Sequence, residues 1–415
     1  MLNFFKNKDW ISIISIFVVL YVSTSFYCTN LLSESVNMLI ALVMVLFLAI
    51  EKWPFKISLF QFTICTILCM LSLITSMLAG DEGKLMVHSV LVMYCAFFFT
   101  AIIPLEVFMK YFSRIMVMVC AFSSIVFILH TIDPKIFSIF PKITCGIESY
   151  KVYYNLFLCV APSSNIFFRA YGFFWEPGAF QTFINLAILF VAFESSKHRS
   201  KMLIALYVAL ILTFSTTGWI VGLINLTVLI LVNYRNSGKS ILPILWLPVI
   251  VIGTVFGLAV APDNIDGVTF GMAKLEYFAD GPSRGKVTSS SVRFDSIYYA
   301  ALLFFKSPII GSGFNGVKDM TQTMYHSMFT CTPLNYFAMY GAVYGSIVGF
   351  SIYQMARYLT SFKNEALAML IFVSFWVSTI SEHYVNYLIM DIFIMYGTQI
   401  ACERFMGPYN VGRNV

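Results

Sequence analysis

The chain has 415 residues, of which 59% are apolar, 17% aromatic and only 11% charged, with a formal net charge of +6. Soluble domains carry about 25% charged residues, so this composition excludes a water-soluble globular fold and points to a chain built almost wholly of membrane spans. No CxxC pair or Cys/His cluster has metal-ligand spacing and no GxxxxGKS/T loop occurs, so neither a metal nor a nucleotide cofactor is expected.

Lys6 and Lys8 precede an apolar run from about Ile11 to Cys28. It is too long for a signal-peptide core and lacks a small-residue cleavage site, so it reads as a retained first span. Further apolar stretches predict spans near 35–50, 57–79, 86–104, 112–131, 177–193, 202–216, 218–233, 241–261, 330–355, 365–382 and 386–402, about twelve in all. Ser215-Thr216-Thr217-Gly218 interrupts one long run and reads as a tight turn between two spans. Cys65, Cys69, Cys95 and Cys120 fall inside spans, where a thiol packs as a small apolar side chain.

Charge asymmetry sets the orientation. With the N-terminus in the cytoplasm, fifteen Lys and Arg residues lie in or beside inside connections, and only Lys84 lies in a short outside one. The remaining ten occupy two long connections, 132–176 and 262–329, which the rule does not count. The expected molecule is one integral-membrane domain, 1–415, with cytoplasmic termini and two long loops outside. The positive charge is this topological signal and calls for no nucleic acid.

The first outer loop contains Cys145 and Cys159, which either pair in an oxidising compartment or stay as thiols. It ends in Arg169-Ala170-Tyr171-Gly172-Phe173-Phe174-Trp175-Glu176-Pro177-Gly178. Ionisable groups at a lipid boundary are costly to desolvate and point to function. Arg169 suits bidentate phosphate binding, the plainer alternative being a side chain snorkelling to the headgroups. Glu176 before Pro177 reads as a helix start, which would also hold a carboxylate rigidly enough to serve as a base. Tyr171 and Trp175 are candidates to stack on sugar rings.

In the second loop, Arg284 and Arg293 precede a short apolar stretch, Ser296–Phe305, expected to form an interfacial helix. Gly311-Ser312-Gly313 follows as a loop, and His326 is a candidate proton acceptor. Glu382-His383-Tyr384 sits at the outer mouth of the last two spans, either to orient a substrate or as a polar hairpin turn. Asp391, inside the last span, should face protein and take a structural hydrogen bond. Several arginines with a histidine and one or two glutamates suit an anionic, lipid-anchored substrate.

In order along the chain, three features resemble the bacterial O-antigen polymerase and ligase superfamily. They are Arg169 with Trp175-Glu176-Pro177-Gly178, similar to the F-x-E-P element of many Wzy-type polymerases; Thr213-Phe214-Ser215-Thr216-Thr217-Gly218, like the T-x-S-x-x-G turn; and Arg293 through Pro308, Gly311 and Gly313 to His326, followed by a span with Gly341 and Gly345. The resemblance implies an all-α polytopic bundle of the C-type glycosyltransferase kind with a periplasmic active site. It implies transfer of a glycan from undecaprenyl diphosphate to a sugar hydroxyl without cofactor. The chain-length regulator and flippase of the same pathway are the partners to consider.

Under that resemblance Arg169 and Arg293, with Arg284 in reserve, would stabilise the diphosphate leaving group. Glu176 or His326 would position or deprotonate the acceptor, and Trp175, Tyr171, Glu382 and His383 would contact the glycan. The glutamate-proline element favours a polymerase, whereas His326 matches the ligases; neither loop clearly carries the family's arginine spacing. Outside the superfamily, a flippase or secondary transporter is the competing class. Its expected intramembrane ion sites find a counterpart only in Asp391.

Overall fold

The computed structural model describes residues 9–144, 152–163, 169–237, 289–323 and 330–405. It is mostly helical. The first half holds α1 (Asp9–Thr24), α2 (Phe26–Leu31), α3 (Glu34–Glu51), α4 (Leu59–Ala79), α5 (Gly83–Ile102) and α6 (Leu105–Ile132). Then come α7 (Pro177–Ala192), α8 (Arg199–Leu212) and α9 (Thr216–Ser237). The last part holds α10 (Ser289–Lys306), α11 (Gly313–Thr323), α12 (Thr332–Leu359), α13 (Glu365–Ser378) and α14 (Leu388–Phe405). Polar residues mark the helix starts. Ser33, Ser58 and Asn364 each accept from the amide three residues on, which satisfies one of the donors a helix leaves open.

Among the described residues, five helices are long and apolar enough to cross a membrane: 34–51, 59–79, 83–102, 105–132 and 216–233. Shorter apolar helices cover 10–24, 177–192 and 365–378, in keeping with a multi-pass membrane protein. The span expected at 241–261 lies outside the described residues. The turn at 215–218 is present, since α8 ends at Leu212 and α9 begins at Thr216.

Helix α7 is the hub. Every residue from Gly178 to Ala192 is buried, and the helix packs against α6, α8, α9 and α13. Its polar stripe is satisfied by those neighbours. Gln181 Nε2 and Thr182 Oγ1 donate to the Ser378 carbonyl (2.9 and 2.7 Å), and Asn225 Nδ2 donates to Asn185 Oδ1 (2.9 Å). In a medium without water such bonds are the only way to place an amide inside a bundle.

Three expectations are corrected. The fold is not all-α: within 132–176, β1 (Lys142–Thr144), β2 (Val152–Asn155) and β3 (Val160–Pro162) form a small antiparallel sheet in that order, with Ile143 opposite Tyr153 and Tyr154 opposite Ala161. The apolar stretch 296–305 belongs to the longer helix α10, so Arg293 stands within the helix rather than before it. After Gly311-Ser312, an additional helix, α11, starts at Gly313, its first amides capped by Asp81 from the end of α4 (2.9 Å to Phe314 N, 2.7 Å to Asn315 N).

Helix α12 is broken at Gly341 (φ 80°, ψ 179°), a conformation essentially restricted to glycine. The segment 308–312 fills the break. Ala342 N donates to the Pro308 carbonyl (2.7 Å) and Ser312 N to the Ala338 carbonyl (2.8 Å), so the freed backbone groups are re-satisfied. A Cβ on Gly341 would lie 2.0 Å from the Ile309 carbonyl oxygen. We therefore expect Gly341→Ala to cost at least the roughly 1–3 kcal/mol of such backbone strain. It should be read as a clear fall in melting temperature of the purified protein, with Gly349→Ala, where nothing lies within 4 Å, as the neutral control.

Candidate functional site

The stretch Arg169–Gly178 is bound tightly into the bundle. Phe26 N donates to the Phe173 carbonyl (2.6 Å), and Ser25 and Phe174 form an isolated bridge. Phe174 stacks on Phe173, Phe180 and Phe183 with centroids 4.5, 5.2 and 5.1 Å away. This aromatic peg sets where Trp175 and Glu176 emerge. Pro177 is the first helical residue of α7 and Glu176 its N-cap, as a helix start requires, yet the Glu176 side chain makes no capping hydrogen bond. A cap does not account for it.

The carboxyl group turns instead to Glu382, in the hairpin between α13 and α14. A Cβ on Gly178 would fall 2.3 Å from a Glu382 oxygen and 2.8 Å from a Glu176 oxygen. Only a residue without a side chain lets the two acids meet there. The hairpin is held by the start of α12: Thr332 Oγ1 donates to the Glu382 carbonyl (2.7 Å) and accepts from Tyr384 N (2.8 Å). Trp175 Nε1 donates to Glu382 Oε2 (3.2 Å), and its ring lies 5.7 Å from both Tyr384 and Tyr387. Burial first, then the charge of and hydrogen bond with Glu176, push the Glu382 carboxyl well above the usual carboxylate range; Arg293 and Trp175 oppose the shift.

Arg169 closes the other side. Its Nε donates to the Thr213 carbonyl (2.9 Å) and its Nη2 to the Phe214 carbonyl (3.1 Å), at the end of α8. A cation there satisfies open carbonyls and complements the helix dipole. Arg169 thus ties the Thr213–Gly218 turn to the Glu176 stretch. Burial lowers its pKa to about 10, with Glu176 acting against the shift and Arg293 with it, and it stays charged at neutral pH. The half-buried Arg293 of α10 lies close enough to act on both Arg169 and Glu382. Two guanidinium groups and two carboxyl groups, from the 169–178 stretch, α10 and the α13–α14 hairpin, therefore share one region.

Other expected residues divide. His383, next to Glu382, is hydrogen-bonded through Nδ1 to the Asn335 side-chain amide (2.9 Å); burial lowers its pKa to about 4. Tyr171 is only 6% exposed and meets Tyr153 edge-on at 6.2 Å, so it is a packing residue and not a platform for sugar. Asp391 faces protein as expected, but neither carboxyl oxygen has a hydrogen-bond partner among the described residues, which corrects the expected structural bond. Cys159 is a buried free thiol. Arg284, His326 and Cys145 lie outside the described residues. Among the described residues no three His, Cys, Asp or Glu side chains could together hold a metal ion. Sequence reasoning missed Thr332 and Tyr387, and the only hint of them was the polar hairpin they brace.

The raised Glu382 pKa has a sign that can be checked. Because the folded state holds the proton more tightly than the unfolded chain, this stabilisation is complete below the ordinary carboxylate range and is lost as pH rises through the raised value. Glu382→Gln should therefore flatten the alkaline loss of stability. Infrared spectra should show a protonated carboxyl band that disappears in Glu382→Gln and titrates at lower pH in Glu176→Gln.

Residues 202–353 match the family model described as O-antigen ligase. No curated protein matches the chain. The matched region runs from α8 through the Thr213–Gly218 turn and Arg293 into α12, and so contains one side of the site just described. Over residues 202–353 the chain is therefore similar to the O-antigen ligase family, which supports the resemblance to the O-antigen polymerase and ligase superfamily.

Proposed function

We propose that the protein is the polymerase of this superfamily, extending a lipid-diphosphate-linked glycan on the outer face of the bacterial inner membrane. The reading rests above all on one observation: Arg169 and Arg293 stand beside the Glu176–Glu382 acid pair at the end of a buried helix. On this reading the chain is a single membrane domain of about twelve spans with both termini cytoplasmic, and 132–176 and 262–329 are periplasmic. Its substrates are undecaprenyl-diphosphate-linked repeat units, and the flippase and chain-length regulator of the pathway are its partners.

The chemistry follows from the charges. Arg169 and Arg293 hold the donor's diphosphate and offset the negative charge that grows on it as the bond from the anomeric carbon to the phosphate oxygen breaks. The acceptor hydroxyl attacks that carbon, and its proton passes to the Glu176 carboxylate. On this reading Glu382 is the member of the pair that carries a proton, in line with the upward direction of its shift, and Glu176 is left to accept the new one. Trp175, hydrogen-bonded to Glu382, flanks the sugar. A ligase, which would pass the finished glycan to lipid A–core, uses the same chemistry; the name of the matched family and the presence of His326 favour that second reading.

The roles predict unequal losses. Glu176→Gln should reduce chain extension by at least about 100-fold, the scale of a lost general base. Glu382→Gln keeps the shape of a neutral acid and should cost far less. Arg293→Ala should lose about 100- to 1,000-fold, and Arg169→Lys should not rescue, because an ammonium cannot reproduce the planar fork. Lipopolysaccharide ladders from complemented cells, at matched membrane abundance, read each outcome. Equal activity of Glu176→Gln and wild type would refute the assigned base.

A further inference from the structure

A second space lies across the hairpin from the acid pair. Glu382 faces Glu176, whereas His383 lines a separate cavity of about 270 Å³. The cavity is enclosed by the end of α1, α2, the start of α3, the turn between α4 and α5, the start of α11 and residues 383–388. It adjoins the candidate site through Tyr387, which lines it and also meets the Trp175 ring at 5.7 Å.

Its equipment is of one kind. Glu34, Asp81, His88, His383, Asn37 and Asn386 supply carboxylate, imidazole and amide groups, and among the described residues no lysine or arginine lines it. Lys84 pairs with Glu34 at 3.9 Å, both side chains being largely exposed at the rim. Asn37 donates to the Cys28 carbonyl (3.0 Å) while its Oδ1 is left without a partner, and the buried Ser23 Oγ is likewise unpartnered. Tyr340 and Asn386 bond to each other at 2.8 Å and present their polar edges together.

With Asp81 capping α11 and Glu34 paired with Lys84, this lining offers a diphosphate no free cation among the described residues, whereas the arginine side of the hairpin matches that charge. Hydroxyl-seeking amides, an imidazole and aromatic faces are what a saccharide needs, and the volume approaches the lower range of ligand-sized pockets, about 300 Å³. We propose that this cavity binds the acceptor saccharide, through an uncharged or amino-substituted sugar unit, and that the Glu382–Tyr387 hairpin separates it from the donor's diphosphate. The proposal rests on the polymerase reading above. It places donor and acceptor on opposite faces of one hairpin, with Glu176 and Glu382 at the crossing.

The test uses full-length protein in nanodiscs for binding of undecaprenyl diphosphate, and complemented cells for chain extension. Ser23→Leu should fill the cavity and Asn37→Leu should strip its amide while leaving the backbone alone. Each should lower extension about ten-fold or more while undecaprenyl diphosphate binding stays within about two-fold of wild type and the protein keeps its melting temperature. If either variant folds and extends chains normally, the cavity is not the acceptor site. If undecaprenyl diphosphate binding falls together with extension in a folded variant, the cavity holds the lipid diphosphate and not the acceptor's sugar, and the proposal is overturned. A wild-type protein that neither binds undecaprenyl diphosphate nor restores a ladder would instead sink the polymerase reading itself, and the acceptor assignment with it.

Discussion

Two acids forced together at the mouth of a hydrophobic bundle constrain everything around them. Burying one ionised carboxylate is costly, and burying two side by side is more so, unless a proton is shared or cations stand close. Both remedies are present. Glu382 sits above the usual carboxylate range because of burial and Glu176, and Arg169 and Arg293 act electrostatically on the same region. Gly178 is the steric condition for the encounter, since any side chain there would collide with both acids. Such an arrangement is poor as a device for stability.

The surrounding fold keeps this costly arrangement in place. Helix α7 is buried along its length, and its amides and hydroxyls bond to α9 and to the end of α13. The hairpin carrying Glu382 is clamped by Thr332 at the start of α12. Arg169 does two things at once, closing the end of α8 and lending positive charge to the site. The break in α12 at Gly341 lets the segment 308–312 sink between α4 and α12. Each element that touches the site is therefore held by bonds from a distant part of the chain.

Much of this was legible from residue order alone. Apolar length marked most of the helices, Pro177 marked the start of α7, and Ser215 to Gly218 marked the turn between α8 and α9. The small sheet was not legible, because strands of three or four residues such as Val152–Asn155 are too short to show an alternating period. The polar opening Ser289-Ser290-Ser291 disguised the first turn of α10 as loop, which is why Arg293 was placed outside it. Glu176 could be suspected but not resolved, since local spacing fits a helix start equally well. Its partner is brought in from a hairpin some 207 residues beyond Trp175, and only packing decides that.

On the proposed function, this site joins lipid-linked repeat units into a chain. Deleting the protein from cells that make a full lipopolysaccharide ladder tests it most directly, with the product separated on a gel. The account predicts lipid A–core capped by a single repeat unit. Bare core with accumulated lipid-linked polymer would assign the ligase step instead, and an unchanged full-length ladder would contradict the account altogether.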